Sequence, residues 1–238
     1  MSAAIPFRAW LQSQKWDGKA RLKTWLPKVL GPSKDRSWQE AQYLALVGRY
    51  VVMAHVARVM EPGCKFDHIV ALDGPQGVGK SLLVRTLIGA GYHCDEPFRI
   101  YKGTLKTPDL RDVLAYEVAE LEAFNRADAS LIKGFLTSAC DFHRRPYSTS
   151  GLRNEPRQCV IWFTSGHADA LTEGMNTRRF WPVTVHQPIN AEWLQKHRAQ
   201  LFAEALHRYR KGKRFTPSAL QEFLYFDPVR ARREGDAA

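Results

Sequence analysis

Apolar residues recur at three- and four-residue steps through the first quarter of the chain. Phe7, Trp10 and Leu11, then Leu22, Trp25 and Leu26, each mark one helix face, with Trp16-Asp17-Gly18 as a break between them. Gly31-Pro32-Ser33 ends that stretch, and Asp35-Arg36-Ser37 opens the next. Trp38 to Met60 is rich in Ala and Val; its Tyr43, Leu44, Val47, Val51 and Val52 read as a core stripe, which Glu61-Pro62-Gly63 terminates. Beyond Asp67 the pattern changes. Short apolar runs near 68–73, 98–101, 112–119, 159–164 and 181–186 predict strands, and helical spacing near 80–89 and 128–139 sets helices between them. After Gln187-Pro188 a helix is predicted from Ala191 to Lys211, with Trp193, Leu194, Leu201, Phe202, Ala205 and Leu206 on one face. Ser218 to Phe226 reads as a further short helix. The stretch from Arg230 to Ala238 is charged and apolar-poor, which predicts a frayed end. The resulting organisation is a helical N-terminal segment (1–62) packed on an α/β core (63–187), followed by a short helical C-terminal segment (188–238).

Gly74-Pro75-Gln76-Gly77-Val78-Gly79-Lys80-Ser81 is a complete phosphate-binding loop. The apolar run Ile69-Val70-Ala71-Leu72 feeds it as a buried strand would, and Leu82-Leu83-Val84-Arg85-Thr86-Leu87 leaves it at helical spacing. The glycines let successive backbone N–H groups turn inward on a phosphate. Lys80 reaches the β/γ-phosphates, Ser81 offers its hydroxyl to Mg²⁺, and the helix N-terminus adds partial positive charge. Residues 74–82, Leu82 included, are therefore the expected nucleotide site, with ATP and Mg²⁺ as its cofactors.

A loop of this kind needs a strand opposite it whose carboxylate holds the Mg²⁺ shell and orients the attacking water. Val113-Leu114-Ala115-Tyr116-Glu117-Val118-Ala119-Glu120 fits, because an apolar strand rarely buries a glutamate without a cation or donor to meet it. Glu120, at the strand end, is assigned the water-polarising role; Glu117 is the alternative, or a second contributor to the metal shell.

Charge narrows the partner. The chain of 238 residues carries a formal net charge of +11, more than a metabolite enzyme requires and suited to a polyanion. Charge alone does not say which nucleic acid. No stretch approaches ~20 consecutive apolar residues, so no membrane span is expected. Cys64, Cys94, Cys140 and Cys159 form no CxxC pair, which reads as reduced thiols in a cytoplasmic protein.

Several blocks resemble the virulence-associated protein E family, the P-loop ATPases of phages, plasmids and genomic islands that are similar to superfamily three helicases and the AAA+ fold. They are Trp16-Asp17-Gly18 with Arg21-Leu22, Pro62-Gly63-Cys64-Lys65-Phe66-Asp67, and the two glutamates Glu117 and Glu120. Lys133-Gly134-Phe135-Leu136 with Asp141-Phe142-His143-Arg144-Arg145-Pro146-Tyr147, and Asn176-Thr177-Arg178-Arg179-Phe180-Trp181-Pro182-Val183, complete the set. The resemblance implies a central parallel sheet, a homo-oligomeric ring with a hexamer favoured, and a site in the bacterial host cytoplasm. It also implies an arginine finger, Arg178 or Arg179, that reaches a neighbour's γ-phosphate, a contribution typically of about 10³–10⁵ in rate. A basic hairpin is expected between the acidic strand and the next core strand. Lys133, Arg144 and Arg145 would contact single-stranded DNA there, Arg153 and Arg157 would flank it, and Tyr147 would stack on a base. No primase or origin-binding domain is recognisable in the chain, so the expectation is either that a separate protein supplies one or that this is the motor core alone. One departure stands out. The family's asparagine at the end of the fourth core strand is replaced by Gly166; Thr164, Ser165 or His167 are candidate substitutes. The expected function is a DNA-dependent ATPase of the helicase or translocase kind. The alternative is a nucleotide-gated switch that hydrolyses slowly or not at all.

Overall fold

The computed structural model describes residues 4–33, 36–102, 104–119, 126–143, 153–166 and 179–236. Three helices come first: α1 (Ala4–Ser13), α2 (Trp25–Leu30) and α3 (Trp38–Met60). Gly31 closes α2 with φ 78°, a conformation that favours glycine, and the Ser37 hydroxyl caps α3 by accepting from the Glu40 amide. α3 has the length and apolarity of a membrane span, yet it is largely buried as the central helix of the core. The expected stripe Tyr43, Leu44, Val47, Val51 and Val52 is buried throughout.

Then follow β1 (Ile69–Asp73), α4 (Lys80–Ile88), β2 (His93–Cys94), β3 (Arg99–Tyr101), β4 (Thr104–Lys106) and β5 (Ala115–Ala119). After them come α5 (Arg126–Thr137), β6 (Cys140–His143), β7 (Arg153–Pro156), β8 (Val160–Ser165), β9 (Phe180–Thr184) and α6 (Ala191–Arg210). Five strands form one sheet in the order β2-β5-β8-β1-β9, and every pair in it is parallel. Side chains alternate between its faces, as strand geometry dictates. Val70, Leu72, Trp162, Trp181 and Val183 pack toward α1–α4 and α6. Ile69, Ala71, Tyr116, Val118, Ile161, Phe163 and Phe180 pack toward Ile132 and Leu136 of α5.

The 98–101 run does not join this sheet. It pairs with β4 in a separate hairpin, because Arg99 and Tyr101 are exposed and Ile100 alone of the three turns partly inward. The strand beside β5 is instead the two-residue β2, too short to leave a periodic signal. The C-terminal end also differs from expectation. α7 (Ala219–Gln221) runs through a π-turn, Glu222–Phe226, into α8 (Asp227–Asp236). Arg230, expected in a frayed tail, is buried and pairs with Glu222 at 2.7 Å and Asp227 at 2.5 Å. Phe226 before it is buried against Tyr43 and Trp181. Local acid–base pairs and one aromatic anchor therefore hold a helix that mean polarity argued against.

The Trp16-Asp17-Gly18 and Arg21-Leu22 block is structural. Asp17 takes both guanidinium nitrogens of Arg21, at 2.8 and 2.7 Å. The buried Glu204 of α6 accepts the backbone amides of Arg21 and Leu22. These bonds tie the N-terminal segment to α6.

A candidate nucleotide site at the C-terminal edge of the sheet

β1 is buried over its whole length and delivers the chain to the C-terminal edge of the sheet, where parallel α/β sheets bind ligands. Gly74, Gly77 and Gly79 all have positive φ, at 142°, 83° and 96°. Two of the three are also closely approached. A Cβ on Gly74 would sit 2.2 Å from the Val185 carbonyl oxygen, and one on Gly79 would sit 2.8 Å from Ile189 Cγ1. The segment after β9 therefore supports the loop from below. Val185 N–H donates to the Asp73 carbonyl at 2.7 Å, and Ile189 N–H to the Val78 carbonyl at 3.0 Å. Pro75, Gln76 and Gly77 face solvent on the other side, as do Ser81 and Leu82 at the start of α4.

Lys80 opens α4, and its ammonium donates to the carbonyls of Gly74 at 2.6 Å and Pro75 at 2.8 Å. Partial burial lowers its pKa, against the pull of the nearby Asp73 and Glu117 carboxylates. The ammonium thus lies folded back over the loop it would share with a phosphate.

Glu117 is 1% exposed and alternates with Tyr116 and Val118, so it lies on the sheet face that α4 covers. One carboxylate oxygen accepts from Ser81 Oγ at 2.6 Å and Thr164 Oγ1 at 2.8 Å. The other meets His93 Nε2 at 2.7 Å. Burial alone would raise this carboxyl's pKa, but the bonds from His93, Ser81 and Thr164 outweigh it and hold the group below the ordinary glutamate value. β8 lies between β1 and β5, so its last residues reach the acidic strand: Ala119 pairs with Thr164 and Asp73 with Ser165. Gly166 follows, exposed, with no described residue within 4 Å of an added Cβ.

The structure thus brings together residues 74–82, Glu117 and Thr164, along with one residue the sequence did not suggest, His93. A lone histidine on a two-residue strand carries no pattern, and its partner becomes visible only once β2 pairs with β5. Glu120 lies outside the described residues, as do Arg178, Arg144, Arg145, Tyr147 and His167; so do the side chains of Lys133 and Arg153. Arg179 precedes β9, and its carbonyl accepts from Ile69 N–H at the opposite end of β1 from the loop. About six residues at ~3.3 Å each separate the two levels, roughly 20 Å, so Arg179 does not join the site of its own chain.

A hairpin does occupy the expected place between acidic strand and next core strand. β6 and β7 pair antiparallel, with His143 opposite Arg153, and residues 144–152 of its tip lie outside the described set. Arg157 must be removed from the DNA-facing residues. It is 1% exposed and donates to both Asp141 oxygens, with Nη2 at 2.5 Å, and to the Phe135 carbonyl at 2.8 Å. Its guanidinium lies 4.5 Å from the Phe135 ring centroid. A buried arginine with its donors committed to one carboxylate and a carbonyl is part of the core.

Fold and site define an α/β protein whose parallel sheet ends in a glycine loop facing a buried, hydrogen-bonded carboxylate. The chain belongs to the virulence-associated protein E-like domain family, whose model matches residues 11–230. Among solved structures it is similar to the A-form apo structure of the C-terminal region of NrS-1, with a TM-score of 0.52 and 16% identity over 82% of this chain and 47% of that one. A second apo structure of that region, residues 305–718, gives a TM-score of 0.50 at 16% identity, covering 84% of this chain and 47% of that one. The chain therefore spans about half the length of those structures, and at this identity the likeness concerns fold alone. No curated protein matches it.

Proposed function

We propose that this chain is an ATP-dependent, nucleic-acid-binding ATPase of the AAA+, superfamily three helicase kind, serving replication of a phage or mobile element. One observation carries the reading. Three positive-φ glycines, the N-terminus of α4 and Lys80 converge at the end of β1, and Ser81 is bonded there to the buried Glu117. On binding, Lys80 would release the Gly74 and Pro75 carbonyls and turn its ammonium to the β/γ-phosphates. The backbone amides of the loop would point at the same oxygens.

The donor set fits Mg²⁺ held chiefly by phosphate and water, since the Ser81 and Thr164 hydroxyls are already bonded to Glu117, and Asp73 is the one other described carboxylate acting on Lys80. No group of three or more His, Cys, Asp and Glu among the described residues could hold an ion by itself. Bound there, Mg²⁺ would neutralise developing phosphate charge. Ser81 and Glu117 would hold it, and Glu120 would polarise the attacking water.

Arg179, about 20 Å from its own loop, is suited to serve only a neighbour's. That distance supports a ring, with Arg178 or Arg179 as its finger. Lys133, Arg144, Arg145, Tyr147 and Arg153 would carry single-stranded DNA on α5 and the β6–β7 hairpin. One observation favours a second reading, a nucleotide-gated switch: Gly166 offers no side chain where the family's asparagine would orient water. Steady-state ATP turnover with and without a single-stranded oligonucleotide tests the pair. Strong stimulation supports the motor; tight ATP binding with negligible turnover supports the switch.

A further inference from the structure

We infer that His93 is a positioning residue for the cation half of this site, acting through Glu117 on Ser81. The inference rests on the nucleotide-site reading above. Glu117 is ionised at neutral pH and can only accept hydrogen bonds, so His93 Nε2 must carry the hydrogen that joins them. The His93 ring is itself buried, at 6% side-chain exposure, and β2 fixes its height by pairing His93 with Ala115, two residues before Glu117. That bond commits one carboxylate oxygen to the edge strand. The other oxygen is thereby turned to Ser81 and Thr164.

The consequence falls on Ser81. Its single hydroxyl hydrogen is donated to Glu117, so its lone pairs are left for the exposed side of the loop, where a cation would sit. Without the His93 bond, Glu117 can rotate about its terminal torsion, and the Ser81 hydroxyl loses its fixed acceptor. A histidine on an edge strand thus sets the direction of a hydroxyl oxygen in the first turn of α4. Partners of this outer kind typically change metal affinity by about 10–100-fold when removed.

The test measures binding of a fluorescent ATP analogue to the full chain as a function of Mg²⁺ concentration, alongside the thermal midpoint of each protein. Three substitutions are compared with wild type: His93→Phe, which fills the ring's space without a donor, His93→Ala, and His93→Gln, whose amide can place an N–H near the Nε2 position. His93→Phe and His93→Ala should raise the half-saturating Mg²⁺ concentration about 10–100-fold and leave analogue affinity in EDTA unchanged. His93→Gln should recover most of the loss. A folded His93→Phe protein with the wild-type Mg²⁺ requirement would overturn the inference. So would a His93→Gln protein as impaired as His93→Phe, or an equal loss of affinity in EDTA. Wild-type protein that binds no analogue at any Mg²⁺ concentration, like a Lys80→Ala control, would instead sink the nucleotide-site reading and this inference with it.

Discussion

Arg157→Ala decides between two physical roles for one cation. A DNA-facing arginine can be truncated with little change in stability, whereas this one is a buried partner. Its removal would leave the Asp141 carboxylate, itself buried, without the guanidinium that contacts both of its oxygens. The Phe135 carbonyl would lose its donor and the Phe135 ring its cation. Breaking one side of a buried pair costs about 3–5 kcal/mol, a large fraction of the ~5–15 kcal/mol that holds a domain folded. For a chain of this size each kcal/mol moves the thermal midpoint by about 2–4 °C, so a fall of roughly 6–20 °C is expected. Arg157→Lys should recover only part of it, since an ammonium cannot reproduce the planar fork. The assay is calorimetry or urea titration of the three proteins, paired with a salt titration of oligonucleotide binding below the lowest midpoint. The log–log salt slope should match wild type, because no phosphate contact is lost. A variant with the wild-type midpoint and a slope shallower by about 0.7 would refute the buried assignment and return Arg157 to the DNA.

Other substitutions probe the site and its support. Glu120→Gln should retain nucleotide binding and lose turnover, while Glu117→Gln should weaken Mg²⁺-dependent binding itself; equilibrium binding and steady-state hydrolysis measured together would reveal the opposite assignment. Gly166→Asn should fold with an unchanged midpoint, since an added Cβ there meets none of the described residues within 4 Å, and should raise ATP turnover if the missing amide limits hydrolysis. Unchanged turnover in that variant would move the rate limit elsewhere. Stability should also fall in mild acid because of His55. Burial lowers its pKa from 6.5 to about 3, partly offset by a hydrogen bond from the ring to the Leu114 backbone carbonyl and deepened by Arg58. The folded value lies below the unfolded one, so the unfolded chain takes up the proton first. The stability of the neutral ring is complete above pH 6.5 and is lost progressively toward pH 3. At pH 5 the loss from this group alone is about 2 kcal/mol, and His55→Gln should remove that share of the slope in urea titrations across the same range.

The shape of the Gly74–Ser81 turn was legible because its pattern is local: eight contiguous residues fix a strand exit, a turn and a helix start. The same holds for α3, whose stripe runs from Tyr43 to Val52, and for β1, β8 and β9, each opening on an apolar run, while β5 was legible as an apolar strand interrupted by Glu117. What escaped depends on contacts between distant segments. His93 meets Glu117 across 24 residues, and Arg157 meets Asp141 across 16, joined when β6 and β7 pair. Arg157 looked like its basic neighbours because charge in a sequence carries no sign of burial. The 98–101 run misled for a related reason, since alternation there marks a half-exposed hairpin as readily as a sheet strand. Trp16-Asp17-Gly18 marked the family, but its function in the fold waited on Glu204, some 180 residues further on.

The central claim is that Gly74–Ser81, with Lys80 as its cation, binds a nucleoside triphosphate. Isothermal titration of the wild-type chain with ATP and Mg²⁺, beside a Lys80→Ala protein of equal thermal midpoint, tests it most directly. Saturable one-site binding by wild type that is lost in Lys80→Ala is the predicted result. Equal binding by both proteins, or none by the wild type, would contradict it.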